Sequence, residues 1–144
     1  MEGHCTELSD LVEDIQKTGA DLYWYPIDFT DAATLEMDRQ YAIFIDQSKY
    51  ETARSLKGAL AHEVGHCATG CTHKVCSALD LVEKHEYAAN RWAIERYLPF
   101  EVMNDAMEHG YVETWALADY FDLPEDFIIK AIRYYTVRRG RKFG

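Results

Sequence analysis

The HExxH pentapeptide at residues 62–66 constrains this chain more than any other feature of its sequence. Histidines four residues apart lie on one face of an α-helix, where two imidazole nitrogens can bind one Zn²⁺ at about 2.0–2.1 Å. The preceding segment places apolar side chains at helical spacing, and Gly70 is a suitable helix stop. The pattern predicts that His62 and His66 bind zinc and that Glu63 acts as general base toward a water on the metal. The alternative is a core helix with two incidental histidines.

A zinc site needs a third protein ligand, and the sequence offers two candidates. His73 completes a pattern similar to the metzincin motif HExxHxxGxxH, but one extra residue precedes Gly70. One helical residue turns the chain by about 100°, so this mismatch misdirects the third histidine. Glu86 is the preferred ligand, because it opens a second helical run over residues 86–97. Asn90 lies one turn further on the same face, where it can accept a hydrogen bond from a ligating histidine and set its tautomer.

Two segments of the chain together resemble one known family. HEVGHCATG at residues 62–70 is followed, twenty residues after His66, by the segment KHEYAANRWAIERYLP at residues 84–99. This arrangement resembles the ImmA/IrrE family of zinc metallopeptidases, whose pattern is HExGH, then Glu-x-x-Ala-(Asp or Asn)-x-aromatic-Ala, then a Leu-(x)-Pro end. Position 90 holds Asn where Asp is commoner. Asn can accept the same hydrogen bond but adds no negative charge.

The resemblance implies an activity, a fold and a partner. It implies that His62, His66 and Glu86 bind a single Zn²⁺ and that Glu63 is the catalytic base. The family's known role is cleavage of a helix-turn-helix transcriptional repressor, in phage and mobile-element induction or in stress responses. The expected function is therefore a zinc-dependent endopeptidase with such a repressor as its protein substrate. The alternative is a non-catalytic zinc-containing protein that sequesters a repressor or another protein partner.

Composition agrees with an intracellular enzyme of modest size. At 144 residues and 48% hydrophobic, residues 1–144 are expected to form one domain with a substantial core. The amino terminus has no apolar stretch typical of a signal peptide, and no segment is apolar enough to span a membrane. We therefore expect a cytoplasmic protein with reduced thiols. Cys67, Cys71, His73 and Cys76 could hold a second metal, but their spacing matches no common zinc finger, which favours buried thiols.

Charge is unevenly distributed along the chain. The last twelve residues carry five positive charges and no acid, which leaves ten positive and 25 negative charges, a net of −15, on the rest. Such a body should repel nucleic acid and attract a basic partner, as a DNA-binding repressor would be. The basic end, residues 138–144 in particular, is expected to be a solvated and disordered tail.

Residues 115–132 have the spacing of a helix-turn-helix, with a turn at Asp122-Leu123. A recognition helix there would begin with Glu125 and Asp126, and two carboxylates oppose binding to phosphates and base edges. We therefore expect these helices to pack internally or to form a docking surface for a partner, without direct contact to nucleic acid.

The remaining segments predict an α+β fold, specifically a zincin-like metallopeptidase domain with a small antiparallel or mixed sheet and a helical carboxyl-terminal half. Strands are predicted over residues 21–26 and 41–46, with a further strand at 34–38. By analogy with other zinc peptidases, 41–46 is expected to border the cleft and receive the substrate as an added strand. The other predicted helices lie around 7–18, 100–109, 112–121 and 124–135.

Overall fold

The computed structural model describes residues 6–26, 31–37, 40–70 and 79–144, with the side chains of 37 and 79–82 left out. Over these residues the chain forms six α-helices and one mixed three-stranded sheet, which confirms the predicted α+β class. None of the described helices combines the length and apolar character needed to cross a membrane. The helices are α1 (Leu8–Lys17), α2 (Ala53–Thr69), α3 (Leu79–Tyr97), α4 (Phe100–Glu108), α5 (Thr114–Phe121) and α6 (Glu125–Arg133). The strands are β1 (Asp21–Trp24), β2 (Ala32–Met37) and β3 (Gln40–Ile45).

The sheet has the order β1-β3-β2, with β3 in the centre. Strand β3 pairs parallel with β1 and antiparallel with β2, and its register places Ile43 opposite Leu22 on one side and Thr34 on the other. Side chains alternate between the two faces of a strand. Ile43 and Ile45, both fully buried, therefore turn the same face of the sheet toward the core. This face also carries Thr34, which pairs with Ile43.

Helix α2 begins and ends where its sequence predicts. Thr52 precedes the first turn, and its side-chain oxygen accepts a hydrogen bond from the backbone N–H of Ser55. Gly70 follows the last turn with φ of 67°, a left-handed conformation that glycine adopts without the strain a Cβ would bring. Between these ends the helix buries residues on several faces, Leu60 and Val64 completely. Such a helix is held in place from several sides, which suits it to carry a site.

Helices α2 and α3 cross at unusually close range at Gly65. A Cβ on Gly65 would lie 2.3 Å from the carbonyl oxygen of Ala89, which is far below an ordinary contact. Ala89 itself is fully buried. The pair of small residues lets the two backbones approach, and the side chains one turn away on each helix are thereby brought together.

The helix-turn-helix-like segment packs against α2. Lys57 of α2 is buried, and its Nζ lies 2.6 Å from Oδ2 of Asp122 in the turn between α5 and α6. At the next residue of α2, a Cβ on Gly58 would lie 2.6 Å from Cγ of Pro124. Leu117 and Phe121 of α5 are completely buried in the core. As predicted, this segment serves internal packing.

The carboxyl-terminal segment is exposed over residues 138–142, as expected from its charge, and its last residues contact α4. Phe143 stacks on Phe100 with ring centroids 4.7 Å apart, and the Arg141 guanidinium lies 3.8 Å from the centroid of the Phe100 ring. The backbone N–H of Gly144 donates to Oδ1 of Asn104 at 2.7 Å. The backbone N–H of Arg141 also donates to the carbonyl oxygen of Tyr135 at 2.9 Å, so aromatic contacts and hydrogen bonds together hold the segment.

Candidate metal centre and cleft

Three side chains from α2 and α3 converge on one point. His62 Nε2 lies 2.7 Å from Oε2 of Glu86, His66 Nε2 lies 3.1 Å from Oε1 of Glu86, and the two Nε2 atoms are 3.2 Å apart. All the potential ligand atoms lie within 4.8 Å of one another. The two histidines are brought together by their spacing on α2, and Glu86 reaches them because α3 crosses at Gly65. These are the three metal ligands predicted from the sequence.

The donor set fits zinc. Ligands at about 2.0–2.1 Å from a tetrahedral Zn²⁺ are separated from one another by about 3.3 Å. The distances of 3.1 and 3.2 Å are close to this value and the distance of 2.7 Å is shorter. Two imidazoles with one carboxylate are a common set in catalytic zinc sites. Three protein ligands leave the fourth tetrahedral position to water or substrate.

Asn90 orients His62. Its Oδ1 lies 2.9 Å from Nδ1 of His62. An amide oxygen can only accept, so Nδ1 carries the proton and Nε2 is the nitrogen that faces His66 and Glu86. Asn90 sits one turn after Glu86 on α3, which is the position and the role that the sequence predicted for it.

The neighbouring histidines govern the charge of Glu86. Hydrogen bonding to His62 and then to His66 holds the pKa of the Glu86 carboxyl far below its usual range, against the opposing effect of partial burial. Glu86 therefore stays ionised across the range in which proteins fold. An ionised carboxylate is the form that binds a metal cation.

Glu63 lies beside this cluster and is held by the sheet. Only 7% of the residue is exposed, and the hydroxyl of Thr34 on β2 donates a hydrogen bond to its Oε2. Thr34 was part of a predicted strand, but no sequence spacing linked it to Glu63. The contact follows from the register of β2 on β3, which turns Thr34 toward α2.

The cluster opens into a cleft of about 500 Å³. One wall is formed by Ala32 of β2 and by Tyr50, and the opposite wall by Pro124, Phe127 and Lys130. The second wall comes from the helix-turn-helix-like segment, so these residues line the candidate site as well as packing on α2. Sequence reasoning did not assign them to the site, because only the packing of α5 and α6 on α2 brings them there.

The strand beside the cleft is β2, so the expectation for residues 41–46 is wrong. Strand β3 is central, and both of its edges are already paired. No residue of 41–46 is among the described residues that line the cleft, whereas Ala32 is. The far edge of β2 pairs with no strand in the described part of the chain.

Tyr50 is the tyrosine among the described residues that line the cleft, whereas His85 and His109 do not line it. Burial and the nearby carboxylates of Asp31 and Glu63 raise the pKa of Tyr50 to about 12. Its hydroxyl is thus a proton donor at neutral pH. Tyr50 thus gives the cleft a hydrogen-bond donor of the kind that stabilises a developing negative charge.

The cysteine and histidine cluster is described in part. Cys67 is 7% exposed and faces the core, and burial with the nearby Glu63 charge raises its pKa to about 12. This matches the predicted buried thiol. Cys71, His73 and Cys76, including the alternative third ligand, lie outside the described residues.

Comparisons of the chain with models of protein families, with curated proteins and with solved structures found no match. The side chains of the cleft are therefore the basis for assigning a function.

Proposed function

We propose that this protein is a zinc-dependent endopeptidase of zincin-like fold, related to the ImmA/IrrE family and active in the cytoplasm. The observation that carries the proposal is the convergence of His62, His66 and Glu86 with the buried Glu63 at an open cleft. A structural zinc needs no buried glutamate beside it and has its four positions closed by protein ligands. Three ligands with an adjacent carboxylate are the arrangement of a hydrolase.

His62, His66 and Glu86 would hold the metal. Bound zinc supplies Lewis acidity, which activates a water and polarises a peptide carbonyl. Glu63 takes the proton from the attacking water and passes it to the leaving amine. The Thr34 hydroxyl fixes one carboxylate oxygen of Glu63 and leaves the other for this transfer. Tyr50 would donate a hydrogen bond to the developing oxyanion, which its position in the lining of the cleft supports.

The edge of β2 is suited to hold a substrate in an extended conformation. An exposed strand edge binds a peptide by backbone hydrogen bonds, with side chains alternating toward and away from the core. Ala32, at the start of β2, lines the cleft, and its small side chain leaves space for a bound chain. A substrate strand along β2 would therefore pass in front of Glu63.

The proposed substrate is a helix-turn-helix transcriptional repressor. The resemblance of residues 62–70 and 84–99 to the family suggests it, and the net charge of −10 favours association with a basic protein. The cleft offers a sheet edge on one side and helices on the other, which suits a segment that must be extended before it is cut.

Glu63→Gln is the variant that tests proteolysis. Gln has nearly the same size, so fold and zinc binding should survive, but an amide cannot accept the proton and cleavage should be lost. A basic helix-turn-helix repressor incubated with wild type and Zn²⁺ should be cut, as read on a gel. With the variant it should stay intact while still binding, and binding should weaken with salt.

The second candidate function is sequestration of a repressor by binding. If the Glu63→Gln protein relieves repression as well as wild type, with the repressor intact, sequestration replaces proteolysis. The acidic surface charge is the feature that favours this outcome.

Metal analysis tests the ligand set separately. Wild type should purify with about one Zn²⁺ per chain, and loss of His62 or His66 should abolish stoichiometric binding. Glu86→Gln should weaken zinc binding strongly, whereas His73→Ala should leave it nearly intact. The reverse pair of results would assign the third ligand to His73, and two metals per chain would assign a metal to the cysteine cluster.

A further inference from the structure

A second pocket opens beside the cleft, between α3 and the carboxyl-terminal end of α6. It has a volume of about 430 Å³, and Asn90 and Lys130 line both this pocket and the cleft. We call it the α3–α6 pocket. Because Asn90 also holds His62, the pocket begins at the residue next to the candidate metal centre. A ligand that extends from the cleft past Asn90 would enter it.

The floor of the α3–α6 pocket is apolar. Ile94 and Tyr134 are almost completely buried beneath it, and Tyr87 and Val137 form its exposed sides. Val137 is 72% exposed, which leaves an uncovered apolar surface next to the cleft. An apolar side chain bound here would remove both surfaces from water, which favours binding. Small concave apolar sites of this kind commonly receive one side chain of a ligand.

The rim of the α3–α6 pocket is cationic in an otherwise acidic chain. Arg91, Lys130, Arg133 and Arg138 line it, and no acidic residue does so among the residues described. The net charge of the whole chain is −10, so this concentration of positive charge is local.

The rim cations are largely free to bind an anion. Lys130, Arg133 and Arg138 form no ion pair with any described residue. Arg91 lies 4.0 Å from Glu95 in an exposed pair, which is too weak to occupy it.

A turn of the backbone and a side-chain contact hold the rim of the α3–α6 pocket in position. Residues Tyr134–Arg138 form a wide π-helical turn after α6, closed by a bond from the N–H of Arg139 to the carbonyl of Tyr134. Such turns are rare and occur frequently at functional sites. The Arg138 guanidinium lies 4.8 Å from the Tyr87 ring centroid, a cation–π contact that holds it across the pocket.

We propose that the α3–α6 pocket is a specificity pocket that binds an acidic segment of the protein substrate, with an apolar side chain on its floor and carboxylates at its rim. The proposal rests on the proposed peptidase function, because it assigns the pocket to the same bound chain. The acidic body still attracts a basic protein at long range, while the pocket selects a locally acidic segment next to the bond that is cut. A peptide fits better than a nucleic acid, since the apolar floor suits an aliphatic side chain.

The test is an NMR titration of zinc-loaded Glu63→Gln protein with short synthetic peptides. One peptide has a central leucine flanked by glutamates, the second has lysines in place of the glutamates, and the third has serine in place of the leucine. The first peptide should shift the amide resonances of residues 87–94 and 130–138. The other two should bind at least about fivefold more weakly, because each lacks one of the two matched features.

Variants of the rim identify the contacts. Each exposed cation of the rim should contribute about two- to fivefold to the affinity for the first peptide. Arg133→Ala combined with Arg138→Ala should therefore weaken binding of this peptide about tenfold and reduce the salt dependence of its affinity. The matched control is Lys17→Ala with Lys142→Ala, two exposed cations outside the pocket, which should change binding by less than about twofold. Val137→Asp should weaken the first peptide without unfolding the protein, since this side chain is exposed.

Three outcomes would overturn the proposal: equal binding of all three peptides, an equal loss in the Lys17/Lys142 control, or tighter binding of a short single-stranded DNA at the same resonances. Wild-type cleavage of a mixed peptide library separates this failure from failure of the peptidase proposal. If wild type cuts peptides with no preference for acidic flanks, only the pocket assignment fails. If it cuts nothing while the titration succeeds, the peptidase assignment and the substrate role of the pocket fail, and only its binding of an acidic segment stands.

Discussion

Replacement of Gly65 by alanine tests the close approach of α2 and α3 on which the metal centre depends. The added Cβ would lie 2.3 Å from the Ala89 carbonyl oxygen, whereas ordinary contacts begin at 3.4 Å. The neighbour is backbone inside a helix, so it cannot rotate away, and the helices have to separate by about 1 Å.

Two opposing effects set the change in the free energy of unfolding of Gly65→Ala. Alanine in place of glycine within a helix stabilises by about 1 kcal/mol, while overpacking of a core usually costs about 1–3 kcal/mol. Because the Gly65 contact involves rigid backbone, we expect the clash to dominate and the net loss of stability to be about 1–2 kcal/mol. For a domain of this size that lowers the urea midpoint by about 0.5–1 M. Zinc affinity should fall at least about tenfold, because metal–ligand distances tolerate only about 0.2 Å and Glu86 moves with α3.

Gly58→Ala is the matched control on the same helix. Its Cβ would lie 2.6 Å from Cγ of Pro124, a ring in the turn before α6 rather than helical backbone. We expect a change in stability of less than about 1 kcal/mol, since the gain in helix propensity offsets the contact, and unchanged zinc affinity. Urea unfolding and competition with a zinc-binding dye measure both quantities. Wild-type stability and wild-type zinc affinity in Gly65→Ala would refute the role assigned to the crossing.

Asn90→Ala should lower zinc affinity by about 10–100-fold, because His62 loses the acceptor that sets its tautomer. Asn90→Asp should raise zinc affinity by adding negative charge. Competition titrations measure both affinities, and an unchanged affinity in Asn90→Ala would contradict the role assigned to Asn90. Asp14→Asn should cost about 1–3 kcal/mol at pH 6, because the buried carboxylate accepts from Arg96 and from the buried hydroxyl of Tyr97. Burial acts to raise the pKa of Asp14, but hydrogen bonds from Arg96 and Tyr97 outweigh it, so the pKa is lowered from 3.8. A lowered carboxyl pKa contributes stability above the unfolded pKa and loses it as the pH falls through the folded value. The gap between wild type and Asp14→Asn in urea unfolding should therefore narrow from pH 6 to pH 3, and a gap that stays constant would contradict this account.

Local spacing was enough to predict the helices and which of the candidate ligand residues share a helix face. An i, i+4 pair of histidines faces one way on any helix, and Glu86 and Asn90 repeat the same spacing on the second helix. Alternation and turn residues likewise located the strands, and Gly70 located the end of α2. These features depend on the backbone within a few residues, so they can be read without knowledge of how the elements pack.

Contacts between different helices and strands were decided by the tertiary structure. Thr34 reaches Glu63 because of the register of β2 on β3. If the pairing slipped by one residue, the Thr34 side chain would point to the opposite face of the sheet. The central position of β3 likewise excluded it from the cleft, although its own sequence resembles an edge strand as much as a central one. Strand order is set by packing across the sheet, which leaves no local signal.

The cleft wall and the tail illustrate the same limit. Phe127 and Lys130 line the cleft because α5 and α6 pack on α2 through Lys57 and Asp122, residues separated by 65 positions in the chain. The basic tail is exposed over residues 138–142, as its charge predicts, but no sequence spacing predicted the contact of Phe143 with α4. Sequence spacing thus determined which residues share a helix face, whereas long-range packing determined which faces meet, because the free energy of burial depends on partners that are distant in the chain.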